Sequence, residues 1–436
     1  MANRRVLIIA YYFPPISSGG TFRTLKFAKY LPELGWDPIV VCARPTATDH
    51  VDPGLLAELP ASVVVERVGH LHPKQIEHGL LAGWKLLWKL RLRALATRLE
   101  PYKVMQWLAP DPYLTWNLPA LQASRRLVRQ YHPQIIMTST PPHSGQWIGL
   151  QLKRATRLPW VADFRDPWTQ NPFIQTPTSW QAGINQRGER AVFAHADHII
   201  SVTSSMTDQM GSLESGKHAG KITTIENGFD AADFGGLPRT QLAGDKLHLA
   251  YIGSLYGLQR ADLFLTCIDR LVQEGMIPAN DLLVEFMGQD GTGVLEAYRD
   301  SIWLRHTAPQ PHSQALSAMT AADVLLLLVP PGASYIHSGK LFEYLGAGRP
   351  ILALAPLDSE AAKVVQSARV GVIAPPDDES AISAALLQMY QEWREQRLHI
   401  DPDPEVVNSF ERRRLTEKLV NVFDTVLSQH PVPTLL

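Results

Sequence analysis

Short, wholly apolar runs alternate with amphipathic stretches twice along this chain, and that alternation limits the fold more than any other feature. In the first half the runs are Val6–Ala10, Ile39–Cys42, Val63–Val68, Ile135–Thr138, Val161–Phe164 and Ile199–Thr203. In the second they are Leu247–Ile252, Leu283–Met287, Val324–Val329, Ile351–Leu354 and Val370–Ala374. A strand that is apolar on both faces must be covered on both, so it belongs inside a parallel sheet with helices above and below. Segments with helical spacing lie between: Phe22–Leu34, Leu118–Tyr131 and Gly145–Arg157 in the first series. Ala261–Glu274, Ser313–Ala321, Ser359–Ser367 and Ser380–Glu395 follow in the second. Two complete series predict two doubly wound domains, which 436 residues can fill. The joint falls near Asn227-Gly228 and Gly235-Gly236. Asp401-Pro-Asp-Pro404 reads as a turn, and Phe410–Ser428 as one more amphipathic helix, opened by Glu411 and the basic run Arg412–Arg414. The expected division is 1–240, 241–405 and a terminal helical segment, 406–436.

Composition removes several functional classes. At 45% hydrophobic and 19% charged residues the chain is an ordinary globular one, neither disordered nor fibrous. A net charge of -1 offers no global attraction to nucleic acid, so no nucleic-acid partner is expected. Two distant cysteines, Cys42 and Cys267, cannot make a disulfide scaffold or a thiolate metal site, and they suit a reducing cytoplasm. The apolar opening run stops at Pro14-Pro15 with no small-residue cleavage site, so it reads as a buried strand rather than a signal peptide. Nowhere is there the run of about 18 apolar residues that a membrane span needs. A soluble or peripheral protein is expected.

Doubly wound sheets bind ligands beyond the carboxyl ends of their strands, so the loops there are the candidate sites. After the first run comes Phe13-Pro-Pro-Ile-Ser-Ser-Gly-Gly-Thr-Phe-Arg23, in which Gly19 and Gly20 let backbone approach a ligand just before a helix N-terminus. Its glycine spacing is neither that of a P-loop nor that of a dinucleotide fingerprint, and a plain turn is the competing reading. The fifth run ends in Val161-Ala-Asp-Phe-Arg-Asp-Pro-Trp168. Three charges there, Asp163, Arg165 and Asp166, are costly unless they pair or bind something, and a structural Asp–Arg pair is the alternative. Gly253-Ser-Leu-Tyr-Gly-Leu-Gln-Arg260 sets a guanidinium at a helix start, where an anion has to answer the dipole. In Tyr335-Ile-His-Ser-Gly-Lys-Leu-Phe-Glu343, residues Ser338, Gly339 and Leu341 open a helix whose N–H groups, with the Lys340 ammonium, can meet a phosphate. Glu343 lies on the face of Lys340 and could accept from ribose hydroxyls, or simply form a surface pair with it. The histidines at 70, 72, 195 and 198 lack zinc-site spacing and read as structural.

Taken together, these segments resemble the family 4 retaining glycosyltransferases of GT-B architecture, in a bacterial branch with the Asp-Phe-Arg-Asp-Pro-Trp strand end. The resemblance runs through the opening loop to Arg23, Thr140-Pro-Pro-His-Ser144, Asp163–Trp168, Glu226-Asn-Gly-Phe-Asp230, Gly253–Arg260 and Ser338–Pro350. It implies two Rossmann-like domains facing across a cleft, with donor nucleotide on the second and acceptor on the first, and a final helix that packs back towards the first. It further implies that Arg260 and Lys340 neutralise the diphosphate and that Glu343 holds the ribose. Gly19 and Gly20 would lie near the phosphates or the reacting sugar, with Arg23 on the acceptor side. Many members carry a glutamate where this chain has Tyr335, and a His where it has Arg165; His143 is a candidate substitute. Asp163, Arg165, Asp166 and His143 are thus the catalytic candidates. The implied co-substrate is a nucleotide-diphosphate sugar, with no cofactor and no metal, and the acceptor a saccharide or lipid-linked saccharide of cell-surface polysaccharide or glycolipid assembly. The rival readings are a nucleotide-sugar epimerase or hydrolase on the same scaffold, and a catalytically weak nucleotide-sugar-binding protein.

One segment stands outside both series. Leu80–Glu100 interleaves Trp84, Trp88 and several leucines with Lys85, Lys89, Arg91, Arg93 and Arg98. On a helix, Trp84, Leu87, Trp88 and Leu95 fall near one side, and Lys85, Lys89 and Arg93 line another. That is the pattern of an interfacial helix meeting anionic lipid at the inner face of the cell membrane, with a helix packed on its own domain as the alternative.

Overall fold

The computed structural model describes residues 3–90, 105, 108–171, 178–237, 245–257, 259–332 and 339–430. Contacts divide the chain into two compact units, Met1–Glu226 with Thr416–Leu436, and Asn227–Leu415.

The first unit is laid down as β1 (Arg4–Ala10), α1 (Thr21–Tyr30), β2 (Trp36–Ala43), β3 (Val64–Val68), α2 (Pro73–Lys89), α3 (Asn117–Tyr131), β4 (Ile135–Thr140), α4 (Gly145–Thr156), β5 (Trp160–Phe164), α5 (Ser179–His195), β6 (His198–Ser201), α6 (Ser204–Gly211) and β7 (Ile222–Thr224). Its strands are parallel and ordered β3-β2-β1-β4-β5-β6-β7. Val6–Ala10 is buried throughout, in a strand that lies between β2 and β4. Helices cover the sheet, and Trp116, Trp160, Phe164 and Phe193 are among the large rings of its core. α2 is looser: Ile76, Leu80, Leu81, Trp84 and Leu87 are half-buried, and none of its residues is fully buried. Trp88 and Leu86 are exposed, and Trp88 meets the half-buried Trp84 edge to face with ring centroids 5.9 Å apart. Residues 91–100 of the proposed interfacial segment lie outside the described residues.

The second unit runs β8 (Leu247–Ile252), α7 (Asp262–Gln273), β9 (Leu282–Met287), β10 (Leu304–Thr307), α8 (His312–Ala321), β11 (Val324–Leu328), α9 (Gly339–Ala347), β12 (Ile351–Leu354), α10 (Glu360–Ala368), β13 (Gly371–Ala374), α11 (Glu379–Arg394) and α12 (Pro404–Ser409). The sheet order is β10-β9-β8-β11-β12-β13, again parallel. Alternate residues of β8 feed opposite cores: Leu249 and Tyr251 join Phe264, Leu271 and Met389, whereas Ala250 and Ile252 join Leu341, Phe342 and Val365.

Two readings of the sequence are corrected at the end of the chain. Asp401-Pro-Asp-Pro404 does not end as a turn, because Asp403 accepts from the Glu405 and Val406 amides and caps α12. The last helix, α13 (Arg412–Gln429), begins after Phe410, with Glu411 accepting from the Arg413 and Arg414 amides. The contact division falls at Glu226 rather than at residue 240, since Phe229 and Phe234 already pack into the second unit's core. Among the described residues no helix is long and apolar enough to cross a membrane.

Candidate functional site

Each sheet changes direction at one place. In the first, the chain moves outward from β1 through β2 to β3 and then crosses to β4 on β1's other side. In the second, it moves from β8 to β10 and crosses to β11. Beyond the carboxyl ends of the two central strands at such a point the flanking loops diverge and leave a crevice. Most of the sequence-predicted residues that the structure describes gather at these two places.

In the first unit Arg23, on α1, reaches Asp163 at the end of β5. Its Nε donates to both carboxylate oxygens at 3.2 and 3.1 Å, and Nη2 to Oδ1 at 2.8 Å. Ser139 Oγ adds a bond of 2.7 Å to Oδ2, and Arg23 Nη1 donates to the Glu226 carbonyl. Both side chains are buried. Asp163 is therefore fully engaged in an Asp–Arg pair, with Arg23 and not with its sequence neighbour Arg165.

Arg165 is the cation left at the crevice. Its Nε and Nη2 donate to the carbonyls of Thr140, the last residue of β4, and Pro141, at 3.1 and 2.9 Å. Its guanidinium also lies against Gly20, where a Cβ would fall 2.5 Å from Nη1. Only glycine admits this approach, so the opening loop and the fifth strand meet at one spot. Burial, with Arg23 nearby, lowers the Arg165 pKa against the pull of Asp166 and Asp163. The Asp166 carboxyl is raised by burial, which Arg165 opposes. His143 stacks on Trp168 with ring centroids 5.2 Å apart and 7° between planes. Burial, reinforced by Arg165, pushes its imidazole down to about 3, so it is neutral in ordinary buffers. Gly19 is exposed, with open space around it.

In the second unit Lys340 stands one residue inside α9, and its side chain runs back over the end of β8. Nζ donates to Tyr251 Oη at 2.9 Å and lies 4.7 Å above that ring. The stem crosses Gly253, whose φ of +136° favours glycine and where a Cβ would fall 2.0 Å from Lys340 Cε. Lys340 therefore spans the point between β8 and β11 where the sheet changes direction. Among the described residues no carboxylate comes within ion-pair distance of it. Leu341 is buried in the core and Gly339 is the first residue of α9; Ser338 and Tyr335 lie outside the described residues.

Glu343 is half-buried one turn along. Burial raises its carboxyl, while His312, Lys340 and Arg412 favour the charged form. His312 stands between two carboxylates, 4.0 Å from Glu343 Oε1 through Nδ1 and 4.0 Å from Asp233 through Nε2. Arg260 is not part of this group. It is exposed and its fork holds Asp262 at 2.8 and 2.7 Å. Asp262 occupies the first turn of α7, so the anion that the helix dipole demands comes from the helix itself.

Sequence reasoning missed Tyr251, His312 and Asp233. Tyr251 sits inside a run read as core, and only its penultimate place in a central strand marks it. His312 begins a helix assigned from Ser313, and Asp233 falls in the joint.

Residues 18–228 match the family model described as Glycosyl transferase 4-like domain. No curated protein matches the sequence. Among solved structures the chain is similar to sucrose-phosphate synthase from Thermosynechococcus elongatus, with 14% identity, a TM-score of 0.65 and coverage of 98% of this chain and 100% of that one. It is similar to the catalytic domain of starch synthase IV from Arabidopsis thaliana bound to ADP and acarbose, with 11% identity, a TM-score of 0.57 and coverage of 98% and 100%. It is also similar to S. aureus TarM in complex with UDP, with 9% identity, a TM-score of 0.60 and coverage of 97% and 100%. At such identities the likeness is one of fold, the two parallel-sheet α/β units of GT-B glycosyltransferases.

Proposed function

We propose that this chain, in which residues 18–228 form a glycosyl transferase 4-like domain on a GT-B fold, is a retaining glycosyltransferase that moves a sugar from a nucleotide-diphosphate donor to a saccharide or lipid-linked acceptor. The observation that carries the reading is Lys340, a half-buried cation over a glycine at the direction change of the second sheet, with a neutral tyrosine as its hydrogen-bond partner. Such a group is placed for an anion that arrives from outside. Departure of a nucleoside diphosphate concentrates negative charge on the phosphate nearest the sugar. Lys340 and the N–H groups opening α9, those of Gly339 and Leu341 among them, would stabilise that charge from fixed positions without a metal. Ser338 belongs to the same opening in sequence. Glu343 would accept from the ribose, and Arg260 would join only by leaving Asp262.

On the first unit Arg165, Asp166, His143, Gly19 and Gly20 would face the reacting sugar and the acceptor, while Arg23 and Asp163 hold the loops that carry them. A neutral His143 can accept or donate a hydrogen bond but brings no charge. The pathway we favour is cell-surface polysaccharide or glycolipid assembly, with α2 and the segment following it resting on anionic lipid through Lys85 and Lys89. The fold likeness to S. aureus TarM and to starch synthase IV, solved with UDP and with ADP respectively, supports a nucleoside diphosphate as donor product.

The test is a screen of nucleotide sugars, following release of nucleoside diphosphate with and without saccharide acceptors. Lys340→Ala should lower transfer about 100-fold with the fold intact, the usual loss for one fixed charge at a developing oxyanion. An epimer formed without acceptor would favour an epimerase, and binding without turnover a nucleotide-sugar-binding protein.

A further inference from the structure

We propose that binding of a nucleoside diphosphate to the second unit is coupled to uptake of a proton by Lys340. The inference rests on the donor-site reading and adds to it a property of the same residue. Its basis is the geometry around the amine. Nζ donates to the hydroxyl of Tyr251 at 2.9 Å and lies 4.7 Å above the same ring. The stem is pressed on Gly253, and that glycine is pressed in turn on Gly288 at the end of β9, where a Cβ would fall 2.3 Å from the Gly253 carbonyl oxygen. The amine is thus held against β8 and the strand ends in a half-buried position. The groups facing it are Tyr251 from β8 and Glu343 from its own helix. Glu343 favours the charged form, yet no carboxylate stands at ion-pair distance from Nζ among the described residues, and Glu343 makes its 4.0 Å contact with His312 instead.

A tyrosine hydroxyl and an aromatic face stabilise an ammonium far less than water or a carboxylate does, so burial draws the amine down to about 8. A diphosphate seated at the opening of α9 supplies the missing charge and restores the ammonium. Linkage then fixes what has to be observed. At a pH equal to the empty-site value, half of the amines lack the proton, and binding fills them, so about half a proton enters per nucleotide bound. Near pH 6 the amine is already charged and contributes no uptake.

Calorimetric titration of the full chain with UDP, ADP and GDP, each in buffers of different ionisation enthalpy, reads this directly. The measurement is made at pH 8, where the nucleotide's own phosphates are fully ionised. The expected result is uptake of about half a proton at pH 8 for whichever nucleotide binds. Lys340→Arg should bind with no uptake, because its guanidinium never gives up its charge. Lys340→Gln, which avoids the bulk of arginine over Gly253, should bind more weakly and likewise take up nothing. Binding whose heat is independent of buffer at pH 8, or uptake that persists in both variants, overturns the proposal. Failure of all three nucleotides to bind overturns the donor-site reading beneath it.

Discussion

Replacing Asp163 by asparagine should unfold the first unit far more readily than it should alter any chemistry. The carboxylate is fully buried and holds three contacts from Arg23 and one from Ser139. The amide would keep the shape but lose the charge and one acceptor oxygen, leaving a buried guanidinium with one amide oxygen and the Glu226 carbonyl as acceptors. Removing one partner of a buried pair costs about 3–5 kcal/mol, most of it the desolvation of the survivor. With a urea slope near 3 kcal/mol/M, the unfolding midpoint should fall by about 1 M or somewhat more. Trp36, Trp116 and Trp160 are all buried in this unit, so tryptophan emission reports the transition. The double variant Arg23→Met/Asp163→Leu should recover most of the loss, since well-packed apolar replacements of buried pairs are often neutral. A single-variant loss below about 1 kcal/mol, or a double variant no better than the single, would refute the assignment. Lost turnover at unchanged stability would make Asp163 a reacting group instead.

Other expectations are simpler to check. Gly253→Ala should push Lys340 off its position and weaken nucleoside diphosphate binding by about tenfold, or 1.4 kcal/mol by calorimetry; unchanged affinity would deny the close packing its importance. Transferase activity should survive EDTA, because the charge stabilisers proposed are Lys340 and helix N–H groups. Loss restored by magnesium or manganese would count against that mechanism. Sedimentation with anionic vesicles should pull down the chain at low salt, and Lys85→Glu/Lys89→Glu should release it, each lysine contributing about 1 kcal/mol. Binding indifferent to salt or to the variant would remove the membrane role.

The central strands were readable because their sequences are apolar on both faces, a pattern that few other environments tolerate. β7 and β10 escaped notice for the opposite reason. Ile222-Thr-Thr and Leu304-Arg-His-Thr lie at sheet edges, carry polar side chains and are only part-buried or exposed. α5 was hidden by Gly183 and Gly188, which weaken a helical pattern. Gly188 is there because a Cβ would fall 2.9 Å from both Trp147 Nε1 and Trp168 Cη2. The site divides in the same way. Lys340, Glu343 and Gly20 announce themselves as charges or glycines at helix starts, a local signal. Asp163 and Arg165 are equally visible as charges, but their partners are not: Arg23 stands far away in sequence, and Gly20 meets Arg165 only after the strands between them have been laid side by side. Arg260 shows the limit of the local signal, since the anion its position demands is supplied two residues further on.

The last helix bears on how the molecule comes into being. From Thr416 onward α13 belongs to the first unit, where Phe423 packs edge-on against buried Trp36 and Asp424 and Lys418 bind Arg4 and Glu226. The whole of the second unit is thus encoded between two parts of the first, and the piece that covers Trp36 leaves the ribosome after all of the second unit. During synthesis the earlier unit must wait, with that ring exposed, while the later one, being continuous from Asn227 to Leu415, can close first. A chain interrupted near residue 411 would lose little from the second unit and yet leave the first without its covering helix, a prime target for chaperones and proteases.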